Sequence, residues 1–287
     1  MSRIVYVNGR YVPYAQAGVH VEDRGFQFAD AVYEVCEVRD GRLVEEDRHM
    51  ARLCRSLGEL EIPNPMTLSA LAHVMRETVR RNRVTDGYVY LQVSRGQGRR
   101  EFLFPAPDVA RTVVCLARSA SPQQRYALAR EGIAVKTLPD IRWRRSDIKT
   151  VMLLPACLAK QAAHNEDARE AWLVDGEGFI TEGASSNAWI VTGDGSVITR
   201  HLDAGILPGV TRAALVDLLA QEGLRLEERP FLIAEALNAH EAFITSATNT
   251  VMPVVRIDGT AIGNGRPGPV VQRLRMKFQQ VAAISSA

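Results

Sequence analysis

The sequence predicts an α+β protein made of two α+β domains. Hairpin and helix patterns are interspersed along the chain, without the regular strand–helix–strand alternation of a doubly wound sheet. A length of 287 residues suits two domains better than a single core. The short, polar, proline-containing stretch 119–124 is the best linker. We therefore divide the chain into a smaller domain, 1–120, and a larger domain, 121–287.

Composition indicates an ordinary globular protein. Apolar residues make up 46% and charged residues 24% of the chain. A net charge of +2 gives no reason to expect nucleic acid or a membrane surface as a partner. The N-terminus lacks a signal-peptide layout, and no apolar run reaches membrane-spanning length. The four cysteines form no C-x-x-C pair, which favours reduced core thiols in a cytoplasmic protein over disulfides or a metal site.

In the first domain, Asn8-Gly9 predicts a hairpin, because this pair supplies the positive φ angles of a type I′ turn. Residues 31–38 alternate like a strand and turn back at Asp40-Gly41. Leucines at spacings of three and four predict a helix over 47–60, and Thr67 caps the next one. The remaining expectations are an irregular stretch at 21–28, a second helix to about 81, strands at 87–94 and 111–117, and an Arg/Gly-rich loop between them.

The second domain mixes strands with helices that begin at small or proline residues. Gly209 opens a helix that runs to 222, and another begins near Pro269. Short apolar runs bounded by turn residues predict the strands. Those strands are expected at 133–137, 171–174, 187–191, 226–229, 242–246 and 251–257, with a further helix at 153–164.

Lys149 is the first candidate for chemistry. The chain contains 35 Lys plus Arg, yet only four of these are lysines: Lys136, Lys149, Lys160 and Lys277. An arginine is never deprotonated in proteins, whereas a lysine can become an amine nucleophile. Lys149 alone follows a group of cations (Arg142, Arg144 and Arg145), and neighbouring positive charge lowers the pKa of an amine. The alternative is a solvated surface lysine, which is the expectation for Lys160 and Lys277.

Two stretches could bind an anion. In Leu207-Pro208-Gly209-Val210-Thr211, glycine frees the backbone at a helix start, where N–H groups and the helix dipole suit a phosphate. The alternative is a plain N-cap by Thr211. The stretch 246–250, which contains Thr248, could hydrogen-bond the same phosphate or be a simple Ser/Thr/Asn turn.

Further charged side chains fit the same kind of ligand. Glu182 ends an apolar strand beside small polar residues, including Ser186, and could pair with a cationic ring nitrogen; the alternative is an exposed turn acid. Arg52 could reach a phosphate from its helix. Arg100 could hold a substrate carboxylate or lie in a solvated basic loop, and Tyr33 or Glu34 could point into a cleft, because they face opposite ways along a strand.

Together these groups predict one cofactor, pyridoxal 5′-phosphate. It forms a Schiff base with a lysine, its phosphate needs an anion site, and its pyridine nitrogen takes an acidic partner. A non-catalytic phosphate- or nucleotide-binding protein is the alternative, and it would leave Lys149 and Glu182 without a role.

At this point the sequence resembles the fold-type IV pyridoxal-phosphate transaminases, most closely the D-amino-acid aminotransferases. The resemblance covers nearly the whole chain, in the family's order and at compatible spacing. Its motifs are Asp23-Arg24-Gly25-Phe26-Gln27-Phe28, Val32-Tyr33-Glu34-Val35, His49-Met50-Ala51-Arg52-Leu53, Asp140-Ile141-Arg142-Trp143, Asp147-Ile148-Lys149, Leu158-Ala159-Lys160-Gln161, Thr181-Glu182-Gly183, Ser185-Ser186-Asn187 and Gly209-Val210-Thr211-Arg212.

The resemblance implies a small N-terminal α/β domain and a larger, β-barrel-like domain carrying the cofactor lysine. It implies ping-pong transfer of an amino group from an amino acid to a keto acid, typically 2-oxoglutarate or pyruvate. Lys149 would be the Schiff-base lysine, Glu182 the partner of the ring nitrogen, and Tyr33 and Arg100 the carboxylate ligands. Arg100 would reach in from the second subunit of a homodimer. The implied cofactor-binding residues are Arg52, Lys149, Glu182, Ser186, Leu207, Gly209, Val210, Thr211 and Thr248.

Two departures from the family pattern concern specificity. D-amino-acid aminotransferases usually have Arg-x-His in the substrate loop, and here the run is Arg100-Glu101-Phe102. One carboxylate donor is lost and an apolar wall is gained, so we expect weaker carboxylate binding and tolerance of hydrophobic substrates, including (R)-amines. Ala184 stands where a serine is frequent, a smaller change. Within the family, a branched-chain L-amino-acid aminotransferase and an aminodeoxychorismate-lyase-like enzyme remain the alternatives.

Overall fold

The computed structural model describes residues 3–285, which fall into two compact units. The first unit runs to Pro122 and also takes in Ile148–Met152 and the described residues from Ala283. The second unit comprises Gln123–Asp147 and Leu153–Ala282. The division into domains 1–120 and 121–287 stays a prediction. The structure adds that the segment carrying Lys149 groups with the first unit.

The first unit contains an antiparallel sheet of six strands. The strands are β1 (Ile4–Val7), β2 (Arg10–Pro13), β3 (Ala31–Arg39), β4 (Arg42–Leu43), β5 (Gly87–Ser94) and β6 (Thr112–Ser119), in the order β2-β1-β6-β5-β3-β4. Its helices are α1 (Arg24–Phe28), α2 (Glu46–Glu59) and α3 (Leu68–Asn82). The predicted first hairpin is confirmed: Asn8 and Gly9 both have positive φ angles, of 45° and 89°.

The helices of the first unit form largely where the sequence predicts them. The apolar stripe of α2 places Leu53 and Leu57 in the core, and the Thr67 side chain caps α3 by accepting from Ala70 N. Helix α1 is a correction, because the stretch 21–28 was expected to be irregular. The Asp23 carboxylate accepts from Gly25 N at 2.9 Å and so supplies the cap that this short helix needs.

The second unit contains a mixed sheet of nine strands. These are β7 (Ile133–Pro139), β8 (Glu170–Val174), β9 (Ile180–Gly183), β10 (Asn187–Val191), β11 (Val197–Thr199), β12 (Leu226–Glu228), β13 (Glu241–Ser246), β14 (Thr250–Ile257) and β15 (Thr260–Ala261). The order is β12-β11-β10-β13-β14-β7-β8-β9, with β15 paired to β14. Strand β7 is parallel to both β8 and β14, and β11 is parallel to β12. The other pairs are antiparallel.

The helices of the second unit are α4 (Pro122–Glu131), α5 (Leu154–Asn165), α6 (Val210–Gln221), α7 (Ile233–Leu237) and α8 (Pro269–Val281). Their mixture with hairpins confirms the predicted α+β class. Among the described residues, no helix is long and apolar enough to cross a membrane. The expectation of core cysteines is wrong for Cys157, which is exposed on α5 beside the exposed Leu154 and Leu158.

Candidate active site

The structure brings two of the predicted site residues of the first unit together. Lys149 Nζ lies 4.3 Å from the centroid of the Tyr33 ring, which stacks in turn on Tyr90. The backbone fixes this arrangement, because Tyr33 N donates to Lys149 O at 3.0 Å and Lys149 N donates to Ser56 Oγ at 3.3 Å. The side chain of Lys149 is half-buried. An amine is therefore held at a fixed place above an aromatic ring.

Arg52, the predicted phosphate ligand of α2, is held by a carboxylate on the neighbouring strand. Glu34 on β3 accepts from Arg52 Nε at 2.8 Å and from Arg52 Nη2 at 2.7 Å, and its Oε2 lies 2.7 Å from His49 Nδ1. Burial alone would raise the pKa of Glu34, but the Arg52 charge and the hydrogen bonds from Arg52 and His49 lower it to about 2. Glu34 thus stays ionised and orients Arg52, a role that the sequence analysis did not assign.

The loop after β5 carries Arg100 and Phe102, both predicted to bind substrate. Both are exposed, Phe102 by 87%, so Phe102 does not line an enclosed pocket of its own chain. The rings of Phe28 and Phe102 lie 6.0 Å apart. The loop backbone is held by Arg24 on α1, which is buried and donates to Glu101 O at 2.8 Å and Leu103 O at 3.3 Å.

Arg24 is itself oriented by a shared carboxylate. Its Nε donates to Asp30 Oδ2 at 2.8 Å, and Arg95 Nε donates to the same oxygen at 2.8 Å. A planar guanidinium presents its donors in a rigid fork that can bridge a carboxylate and two carbonyl groups, whereas a lysine ammonium is a point charge without this fixed geometry. Arg24 therefore positions the loop. The sequence analysis quoted this arginine within a motif but gave it no role.

Glu182 and Leu207, two predicted cofactor ligands of the second unit, lie together. The Glu182 carboxylate is buried at the end of β9 and accepts from Leu207 N at 3.1 Å through both of its oxygens. Asn187 Nδ2 donates to Glu182 at 2.9 Å and also to Leu207 O at 3.0 Å. Arg142 Nη1 completes the set of donors. The alternative of an exposed turn acid is therefore wrong.

The charges around Glu182 do not balance. Arg142 also donates to both oxygens of Asp140, so one guanidinium serves two largely buried carboxylates. Burial raises the pKa of Glu182 to about 7, although Arg142 opposes this effect. Hydrogen bonds from Arg142 lower the pKa of Asp140 despite its burial. With both acids ionised, the three groups carry one excess negative charge, and the protonated ring nitrogen of pyridoxal 5′-phosphate would supply the missing cation. The residues therefore fit this cofactor.

Helix α6 begins where the sequence predicts an anion site, and anion binding there stays a prediction. Its N-cap is Gly209, and no side chain caps it, so the alternative of an N-cap by Thr211 is wrong. The first N–H groups of a helix have no partner within the helix and can donate to a phosphate. A Cβ atom at residue 209 would lie 2.1 Å from Asn187 Oδ1, so only glycine fits there. Thr248 is exposed in the turn between β13 and β14, and β13 packs against α6.

Ser186 is directed toward an acid that the sequence analysis did not single out. Its Oγ donates to Glu170 Oε2 at 3.1 Å, and Ser185 Oγ donates to the same oxygen at 2.7 Å. Lys160 Nζ lies 3.2 Å from the other oxygen of the buried Glu170. Lys160 therefore pairs with a buried acid, although its own side chain is 39% exposed. The cofactor contact of Ser186 stays a prediction.

Two of the three arginines that precede Lys149 in the sequence are paired with carboxylates. Arg142 pairs with Asp140 and Glu182, and Arg145 Nε lies 2.9 Å from Asp147. These carboxylates compensate the charges of the two arginines.

Comparison with known proteins decides the family. The sequence profile of the amino-transferase class IV family matches residues 31–257. The chain belongs to the class IV aminotransferases. Over 96% of its length it is 36% identical to a D-alanine aminotransferase of Staphylococcus haemolyticus, covering 96% of that protein, and 37% identical to one of Bacillus licheniformis, covering 95%.

Solved structures of class IV aminotransferases share the fold. The branched-chain amino acid aminotransferase from Escherichia coli superimposes with a TM-score of 0.87 at 24% identity, covering 99% of this chain and 95% of that one. The branched-chain aminotransferase from the thermophilic archaeon Thermoproteus uzoniensis, solved with norvaline, gives a TM-score of 0.86 at 24% identity, covering 98% and 94%. At this identity the likeness shows the fold alone, which is the predicted fold-type IV architecture. As a class IV aminotransferase, the protein is a transaminase that depends on pyridoxal 5′-phosphate.

Replacing Glu182 by Gln should change how the stability of the cofactor-free protein depends on pH. The folded pKa of about 7 exceeds the ordinary value of 4.5, so the folded state binds the proton more tightly. The stability that this bound proton contributes is fully present below pH 4.5 and is lost as the pH rises through 7. The unfolding free energy of the wild type relative to E182Q should fall by about 3 kcal/mol across this range in urea titrations. E177Q, at an exposed acid nearby, is the control; a pH-independent difference between wild type and E182Q would contradict the account.

Proposed function

We propose that the protein transfers an amino group from a D-amino acid to a 2-keto acid, such as 2-oxoglutarate or pyruvate, by a ping-pong mechanism. The observation that carries the cofactor part of the proposal is the buried pair of Asp140 and Glu182, which lacks one cation. The choice of a D-amino acid is supported by relatives that are D-alanine aminotransferases. A cytoplasmic location, consistent with free cysteines among the described residues, is part of the same proposal.

Each predicted site residue has a specific task in this proposal. Lys149 would hold the cofactor covalently and would carry the proton that the reaction moves. Glu182 accepts the hydrogen bond of the protonated ring nitrogen, so that the bound cofactor supplies an electron sink. Leu207 packs against the ring while its N–H holds Glu182 in place. The phosphate is bound by Arg52, by the backbone of Gly209, Val210 and Thr211, and by Thr248. Ser186, which follows Glu182 closely in the sequence, is a further cofactor-binding residue in this proposal.

Tyr33 and Arg100 bind the substrate carboxylate, and Arg100 acts in the partner subunit of a homodimer. The exposure of the Arg100 loop supports this part of the proposal. Val21, Phe26, Phe102 and Leu103 are each at least 70% exposed, and Arg24 ties α1 to the loop that carries the last two. Large apolar side chains exposed in this way are typical of surfaces that another protein covers. A second copy of the chain would bury them and receive Arg100 in its site.

Phe102 broadens the specificity in this proposal. A phenyl ring cannot donate a hydrogen bond to a carboxylate, whereas a histidine can. The loss of this donor weakens the hold on amino acids without excluding hydrophobic amines, so (R)-amines become substrates. A single bidentate guanidinium, that of Arg100, then provides most of the carboxylate recognition.

The half-reaction with single amino donors tests the stereochemistry. D-alanine should convert the yellow, cofactor-loaded enzyme to its aminated form faster than L-leucine does, as measured by the loss of visible absorbance in stopped flow. Borohydride should fix the cofactor to the wild type at residue 149, and Lys149→Ala should show neither fixation nor bleaching, because it lacks the amine. The control variant Lys160→Ala should still show both borohydride fixation and bleaching. Faster bleaching by L-leucine would favour a branched-chain L-amino-acid aminotransferase instead.

Substitutions in the loop test carboxylate recognition. Arg100→Met should raise the KM for D-alanine about 10-fold to 100-fold, because a charge-assisted bidentate contact is lost. The KM for (R)-1-phenylethylamine, which has no carboxylate, should change little. Arg99→Met is the matched control on the adjacent exposed arginine.

A histidine in place of Phe102 would restore a hydrogen-bond donor to the substrate loop. Phe102→His should improve kcat/KM for D-alanine relative to the amine, measured with the same keto acid. If this ratio does not move, Phe102 lies outside the substrate site and the specificity part of the proposal is wrong.

A further inference from the structure

The turn that carries Thr248 ends in a strained residue. Thr250, the first residue of β14, has a φ angle of 56°, in the left-handed region. A β-branched residue is a genuine outlier there, because its side chain crowds the backbone. Such conformations persist only where the surrounding structure enforces them, and they cluster at ligand-binding sites. Some contact must therefore hold the backbone of this turn.

Arg275 on α8 makes that contact. Its side chain is buried, and Nη1 lies 2.9 Å from Asn249 O, 2.9 Å from Thr250 Oγ1 and within hydrogen-bond distance of Val251 O. These acceptors belong to the strained residue and to its two neighbours. Helix α8 packs against β14 and α6, so the guanidinium is fixed from a rigid element.

Other contacts of the turn are local, longer, or part of the β13–β14 ladder, which pairs Ser246 with Thr250. Ser246 Oγ accepts from Asn249 N at 3.2 Å and lies 3.5 Å from Thr248 Oγ1. Arg125 Nη1 approaches Thr248 O at 3.4 Å from a more exposed position. Arg275 is thus a buried charged group that bonds the strained end of this turn.

We propose that Arg275 is a positioning residue for the cofactor's phosphate. It holds the backbone of Asn249, Thr250 and Val251 in the left-handed turn that directs Thr248 toward a phosphate monoester. The inference rests on the proposed role of Thr248 in phosphate binding. Arg275 touches neither cofactor nor substrate; it acts through the shape of the turn, and its effect is confined to ligands that bear the phosphate.

The test is the affinity of full-length, cofactor-stripped protein for pyridoxal 5′-phosphate and for pyridoxal, followed by absorbance and protein fluorescence. Arg275→Met should weaken binding of the phosphorylated ligand about 10-fold to 100-fold, because a turn that loses its charge-assisted hydrogen bonds relaxes away from the binding geometry. Binding of pyridoxal, which has no phosphate, should stay within about two-fold of the wild type. Arg273→Met is the matched control, because Arg273 lies on the same helix but pairs with Glu222.

Relief of the strain provides a second, independent readout. Glycine adopts positive φ angles without steric cost, so Thr250→Gly added to Arg275→Met should restore much of the lost affinity. Arg275→Lys keeps the charge but not the planar fork and should lie between the wild type and Arg275→Met; it also serves if the Met variant does not fold.

The outcomes separate this inference from the proposed function. If Thr248→Ala weakens binding of pyridoxal 5′-phosphate while Arg275→Met and Arg275→Lys do not, the role of Arg275 is wrong and the phosphate site stands. Equal loss of pyridoxal and pyridoxal 5′-phosphate affinity in the Arg275 variants, or no recovery with Thr250→Gly, would also overturn the inference. If Thr248→Ala has no effect, the phosphate assignment itself fails.

Discussion

The structure depends on one arginine that is shared by two buried acids. Arg142 bonds both Asp140 and Glu182, and a single guanidinium cannot neutralise two carboxylates. Burying an uncompensated charge is costly, so one of the acids must hold a proton or a second cation must arrive. The raised pKa of Glu182 favours a protonated acid, which is the first of these alternatives. A cationic ring nitrogen would provide the second cation. A cofactor that carries such a nitrogen therefore completes an arrangement that the protein chain leaves short of one positive charge.

Buried or largely buried arginines fix several of the functional groups, although not Lys149 and Tyr33. In each case a planar, permanently charged fork joins groups that lie far apart in the sequence, often a carboxylate and backbone carbonyls. The arginines in question are Arg24 for the substrate loop, Arg52 beside Glu34, Arg142 beside Glu182, and Arg275 for the turn of Thr248.

Much of the fold and part of the site could be predicted from the sequence. Strong periodicity identified helix α2, and the Asn8-Gly9 pair identified the first hairpin, because both signals are local. Motif order identified the family. The arginine contacts could not be predicted, since Arg24 and Glu101, or Arg275 and Asn249, meet only through the tertiary fold. The left-handed conformation of Thr250 could not be predicted either, because threonine does not favour it and Arg275, which bonds the turn, lies on a distant helix.

The protonation state of the cofactor's ring nitrogen tests the central claim most directly. It can be read from the nitrogen chemical shift of protein reconstituted with ¹⁵N-labelled pyridoxal 5′-phosphate, because protonation changes the electronic environment of that atom. The account predicts a protonated ring nitrogen in the wild type at neutral pH and an unprotonated one in E182Q, since the buried carboxylate stabilises the cation. An unprotonated nitrogen in the wild type, with the cofactor bound, would contradict it.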